Sequence, residues 1–185
     1  MKTLILNGSP RKNGDTAALL RVLTGRLCGD YRIIEAYCSA VSPCLDCRFC
    51  REHAGCRIQD GMQDIYRAIA QSDHILIASP VYFSTLPGTL LNLGSRLQAW
   101  FCARHFRKER PVSRPKTGAV ILTGGGSGGL EAAYHTACLM LREMNVKEIF
   151  PLVSSGKTDL LPAGEDAAAR AGVLQIADYF NQSQM

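Results

Sequence analysis

Short apolar runs alternate with longer stretches of helical periodicity along the chain, and that alternation constrains the fold more than any other feature of the sequence. Lys2–Gly8 (KTLILNG), Tyr31–Tyr37 (YRIIEAY), His74–Ser79 (HILIAS), Thr117–Gly124 (TGAVILTG) and Lys147–Val153 (KEIFPLV) read as strands. Thr16–Cys28, Asp60–Gln71, Thr89–Phe106, Leu130–Met144 and Pro162–Phe180 read as helices. Asp15 or Thr16 is available to cap the first helix. Pro151 places the fifth strand at an edge, because proline donates no ladder hydrogen bond. Strands separated by helices run parallel and connect by right-handed crossovers. Five of each fit an α/β fold, a three-layer, doubly wound, five-stranded parallel sheet in the order 2-1-3-4-5. Residues 1–185 are expected to form one domain with a cysteine-rich loop at 42–57.

In such a sheet, ligands sit outside the carboxyl ends of the strands, at the switch point between strands 1 and 3. Three unusual loops leave that edge. GSPRKNGDT (Gly8–Thr16) joins a strand to a helix N-terminus, where free amides and the helix dipole favour an anion. Ser9 and Thr16 add hydroxyls, Asn13 an amide and Arg11 a bidentate charge; this set suits a single phosphate. SPVYFSTLPG (Ser79–Gly88) places Tyr82 and Phe83 beyond strand 3, where aromatics either flank a flat ring or pack the loop onto the core. TGGGSGG (Thr123–Gly129) follows strand 4 and lets backbone approach a ring that side chains would keep away. It spells G-x-G-x-x-G, but after the wrong strand for a dinucleotide fingerprint. PLVSSGKT is a near miss to a phosphate loop of the Walker type, with Pro151 where the first glycine belongs.

GSPRKNGDT, SPVYFSTLPGTLLN and the glycine loop together resemble the flavodoxin-like NAD(P)H-dependent FMN reductases, and most closely their cysteine-bearing members, the iron–sulfur flavoproteins. The resemblance implies FMN, with its phosphate on Ser9, Arg11, Asn13 and Thr16. It implies an isoalloxazine ring against Pro80, Val81, Tyr82 and Phe83, and against Thr123, Gly124 and Gly125. NAD(P)H as co-substrate and a homodimer or homotetramer also follow from it. In Leu90–Leu97, where the family often carries a lysine and an aspartate, this chain has Leu91 and Ser95.

Cys44, Cys47, Cys50 and Cys56 form C-x2-C-x2-C-x5-C, half of the chain's eight cysteines. Four thiolates in one loop can wrap a single iron–sulfur cluster, although the spacing differs from the ferredoxin run. Arg48, Arg51 and Arg57 would offset the thiolate charge. The resemblance implies a [4Fe–4S] cluster; tetrahedral zinc, with His53 as an alternative donor, and a metal-free loop stay open. Cys28, Cys102 and Cys138 fall in helical patterns and read as small buried hydrophobes.

The net charge of +5 equals the excess carried by Arg104–Lys116, which holds six cations and Glu109 alone. It lacks the aromatic interleaving and motifs of a nucleic-acid surface, so it reads as a solvated linker or as a contact for an anionic cofactor tail, an acidic partner or another subunit. No apolar run spans a bilayer and the N-terminal run is too short for a signal peptide, so a cytoplasmic protein with reduced thiols is expected. These features predict a flavin oxidoreductase with a nicotinamide or redox-protein donor and a small-molecule or protein acceptor, binding neither nucleic acid nor membrane. The alternatives are a flavodoxin-type carrier, disfavoured by the positive charge, and a metal-stabilised binding module.

Overall fold

The computed structural model describes residues 1–126 and 129–182; Ser127 and Gly128 of the glycine loop lie outside the described residues. In chain order the elements are β1 (Lys2–Asn7), α1 (Asp15–Arg26), β2 (Asp30–Glu35), α2 (Phe49–Glu52), α3 (Met62–Gln71) and β3 (His74–Pro80). They continue with α4 (Gly88–Arg96), α5 (Gln98–His105), β4 (Lys116–Thr123), α6 (Leu130–Glu143), β5 (Val146–Ile149), β6 (Val153–Ser155) and α7 (Ala167–Gln182). All strand pairs are parallel and the order is β2-β1-β3-β4-β5. The fold is the predicted flavodoxin-like one, with one correction to the strand count. The fifth strand position is shared: β5 pairs with the start of β4, and β6 pairs with Ile121–Thr123 at its end. Pro151 lies in the gap between them and cannot donate to the ladder.

The pleat divides the core between two faces. Ile5, Leu76, Ala78, Ala119 and Ile121 meet Leu19 and Leu23 of α1 and Val173, Ile176 and Phe180 of α7. Leu4, Leu6, Ile75, Ile77, Val120 and Leu122 meet α3, α4, α5 and α6. Each fully buried Leu or Ile contributes about 1.5–3 kcal/mol, so both helical layers are held mainly by burial. Among the described residues, no helix is long and apolar enough to cross a membrane.

Two helix expectations change. The run Thr89–Phe106 is two helices, because the chain tightens at Leu97, whose N–H bonds Gly94 O at 3.0 Å. Gly94 also lets α4 close onto α6, since a Cβ there would lie 2.9 Å from Met140 Sδ. The last helix starts at Ala167, not near Pro162, and Asp166 Oδ1 accepts the N–H of Ala169 at 3.0 Å as its cap.

Candidate functional site

The loops after β1, β3 and β4 converge on one open cleft of about 210 Å³ at the carboxyl edge of the sheet. Nine predicted cofactor contacts line it: Ser9, Arg11 and Thr16 from the first loop, Pro80, Val81 and Tyr82 from the second, and Thr123, Gly124 and Gly125 from the third. Asn13 and Phe83 do not line it, and both are exposed.

The first loop is held from below. Gly8 N–H donates to Ala78 O (2.8 Å), Ser9 N–H to Asn7 Oδ1 (2.9 Å) and Arg11 N–H to Ser9 Oγ (3.3 Å). Asn7 is fixed in turn by Glu35 Oε2 at 2.7 Å. Gly14, not Asp15 or Thr16, occupies the cap position of α1, and no side chain caps it. The N–H groups of the first turn therefore stay available, and the helix dipole adds positive potential there. Asp15, which would repel an anion, spends Oδ1 on the N–H of Ala163 at 2.8 Å. Thr16 Oγ1 and Thr123 Oγ1 are 2.8 Å apart at the buried base of the cleft. One proton lies between these hydroxyls, so the other O–H remains to donate to a ligand.

The second loop turns sharply. Tyr82 and Thr85 exchange two backbone hydrogen bonds of 3.0 Å around Phe83 (φ 50°) and Ser84 (φ 62°). This tight hairpin turn forces both central residues into the left-handed region, and it throws Phe83 wholly into solvent. Val81 N–H donates to Thr123 O at 2.8 Å, and Ser84 packs on Gly129, so the second and third loops are joined.

The cleft has a fourth wall. After β6 the chain returns beneath the glycine loop: Lys157 N–H donates to Gly126 O (2.9 Å) and Thr158 N–H to Gly124 O (3.1 Å). Thr158 and Asp159 thereby line the cleft. A Cβ on Gly125 would sit 2.3 Å from Asp159 Oδ2, so the absence of a side chain there lets the Asp159 carboxylate lie against the glycine loop. Amides and hydroxyls at one end, with a flat, glycine-lined backbone wall at the other, fit a phosphate joined to a planar ring.

The cysteine loop leaves β2 at this edge but folds away from the cleft. Cys44, Cys47, Cys50 and Cys56 line a separate small cavity of about 30 Å³ against α5, and Cys102 joins them from that helix. None of the five lines the cleft between the first, second and third loops. Arg96, with a fully buried side chain, clamps the loop. Its Nη1 donates to Ser42 O (3.0 Å) and Asp60 Oδ2 (2.7 Å), and its Nη2 to Ile58 O (3.0 Å). Burial opposes ionisation of Asp60, but the Arg96 guanidinium and the N–H groups of Ser42 and Met62 outweigh it and hold its carboxyl below the usual range. Ser95 takes part as well, accepting the Cys44 N–H at 3.0 Å.

None of the eight cysteines is in a disulfide. Burial, reinforced by the neighbouring Cys102 thiol, pushes Cys50 up to about 11. Cys102 is buried as expected, whereas Cys28 is exposed just beyond α1. Among the described residues, no three His, Cys, Asp or Glu side chains are placed to share one metal ion, the arrangement a tetrahedral zinc requires. The same holds for a cluster: among the described residues the four thiols line one cavity without being gathered as ligands of one metal group. Beside them Arg96 Nε and Arg107 Nε are buried without a hydrogen-bond partner, and Arg107 reaches the loop through Cys50 O.

Residues 1–158 match the family described as NADPH-dependent FMN reductase. The chain belongs to this family. It is 28% identical over 134 residues to an iron–sulfur flavoprotein of Methanocaldococcus jannaschii, covering 71% of this chain and 66% of that one. It is 30% identical over 135 residues to an iron–sulfur flavoprotein of Methanosarcina thermophila, covering 70% and 66%. The match thus spans just under two thirds of these relatives' own length. The fold is similar to that of an NAD(P)H:quinone oxidoreductase from Methanothermobacter marburgensis, with a TM-score of 0.72 at 17% identity over 100% of this chain and 96% of that one.

Proposed function

We propose that this family member is an FMN-dependent oxidoreductase, reduced by NAD(P)H or a redox protein and oxidised by a small molecule or an electron-transfer protein. The observation that carries this reading is the convergence of three predicted loops, and a fourth, on the cleft at the carboxyl ends of β1, β3 and β4. The flavin, when bound, supplies the two-electron chemistry. Ser9, Arg11, Thr16 and the first-turn amides of α1 would hold its phosphate. Pro80, Val81 and Tyr82 would cover one side of the ring, with Thr123, Gly124 and Gly125 at its edge. No side chain in the cleft needs to act as acid or base; the chain's part is to orient the ring and set its electrostatic surroundings.

The cysteine loop, in this reading, carries a [4Fe–4S] cluster on Cys44, Cys47, Cys50 and Cys56. Support comes from four thiols around one cavity, from unpartnered arginine N–H groups beside them, and from relatives named as iron–sulfur flavoproteins. The cluster would add one-electron traffic to the flavin's two-electron chemistry. The test is one anaerobically purified sample assayed for flavin, iron, acid-labile sulfide and zinc. Flavin together with iron and sulfide supports both halves. Flavin alone removes the cluster, and a sample that neither contains nor binds FMN removes the oxidoreductase.

A further inference from the structure

The segment that carries the whole net charge is not part of the cleft. Lys116 opens β4, whereas Thr123, at its other end, lines the cleft. They are the two ends of an eight-residue strand, about 23 Å apart at about 3.3 Å per step. No residue of Arg104–Lys116 lines the cleft. At the amino ends of the strands the segment instead builds the wall of a separate cavity of about 480 Å³. Four cations line this cavity from four places: Arg104 near the end of α5, Arg110 in the linker, Arg142 in the last turn of α6 and Lys147 in β5. Among the described residues, no carboxylate lines it.

We infer that this cavity is a second binding site, selective for a small polyphosphate anion. Its frame is fixed: Asn145, in the left-handed region at φ 67°, donates from Nδ2 to Arg114 O (3.0 Å) and Ser113 O (3.3 Å). Its carbonyl accepts the N–H of Lys116 at 3.2 Å, and Arg142 Nη1 donates to Lys147 O at 2.7 Å. Glu143 neutralises Arg104, while the side chains of Arg110 and Lys147 have no partner among the described residues. The carboxyl ends of α5 and α6 offset part of the field through their dipoles, yet three uncompensated cations remain. Guanidinium forks bind the oxygens of phosphates and carboxylates alike two at a time, so the number and spread of the cations, not the fork itself, select the ligand. Cations spread over this volume exceed what a single orthophosphate can satisfy, so a chain of two or more phosphates fits best. Pro111, Val112 and Pro115 add an apolar wall that suits a nucleoside attached to such a chain.

The test is calorimetric titration of FMN-saturated protein at low salt with inorganic pyrophosphate, ATP and orthophosphate. Pyrophosphate and ATP should bind saturably and about tenfold or more tighter than orthophosphate, and weaken as salt rises. Equal binding of the two identifies the phosphate chain as the recognised group; tighter ATP adds the nucleoside. Arg110→Ala combined with Lys147→Ala should weaken both by at least about tenfold, with the melting temperature and FMN content unchanged. Absence of saturable binding by either polyphosphate, or binding indifferent to the double substitution, overturns the inference.

Discussion

Replacing Arg96 by Met should unlatch the cysteine loop while leaving the sheet intact. The thioether fills much of the arginine stem's volume, so the loss is electrostatic and hydrogen-bonded rather than steric. Three bonds disappear: two to the carbonyls of Ser42 and Ile58 and one to the Asp60 carboxylate. Neutral bonds contribute about 1 kcal/mol each and a charged one about 2, which sums to roughly 4 kcal/mol. Breaking a buried ion pair independently suggests about 3–5 kcal/mol. Asp60 retains 14% side-chain exposure, so water recovers part of that loss and the lower figure is expected. Urea denaturation should show a drop of about 3 kcal/mol, a large share of a typical total of 5–15. A thiol reagent should label Cys102, which is 2% exposed in the intact protein, far faster in the variant. Asp60→Asn in the same background should cost only about 1 kcal/mol more, because the ion pair is already broken and one of the two backbone N–H groups of Ser42 and Met62 loses its carboxylate acceptor. A loss below about 1 kcal/mol with Cys102 still protected would refute the clamp.

Other perturbations test the remaining parts of the account. Gly8→Ala places a Cβ 2.7 Å from Ser79 Oγ and 3.0 Å from Leu90 Cδ2, both buried, so the urea midpoint should fall by an amount equivalent to about 1–3 kcal/mol. Asp159→Asn removes a carboxylate beside Gly125, and the midpoint potential of bound FMN, read by spectroelectrochemistry, should rise; a fall or no change contradicts the fourth wall. His74 is buried against Phe180, with Nδ1 2.6 Å from Thr117 Oγ1, and burial holds its pKa below the ordinary value. The folded state therefore disfavours the charged ring, so the stability this provides is complete above about pH 6.5 and is lost as pH falls below it. His74→Gln should flatten that slope in melting curves taken between neutral and mildly acid pH.

Parallel strands buried on both faces read as continuous apolar runs, which is why β1, β3 and β4, the strand order and most of the cleft are legible in the sequence. The fourth wall is not, because Pro151 splits the last strand and moves its end from Val153 to Ser155, hiding that Thr158 and Asp159 begin a loop on the ligand edge. Phe83 reads as a ring contact but faces solvent, because its turn needs two positive φ values, and neither Phe83 nor Ser84 announces one as glycine or asparagine would. The cysteine spacing is plain, but its position is not. A loop leaving β2 beside β1 belongs near the cleft by topology alone, and long-range contacts that the spacing does not announce, from Arg96, Ser95 and Arg107, hold it against Cys102 instead.

The central claim is a flavin site on the first, second and third loops. Fluorescence titration of flavin-free protein with FMN, and in parallel with riboflavin, tests it most directly. The account predicts saturation at a single FMN per chain and clearly weaker riboflavin binding, because the amides of α1 with Ser9, Arg11 and Thr16 hold the phosphate. Equal binding of the two flavins would remove the phosphate cradle, and no saturable binding of either would contradict the account.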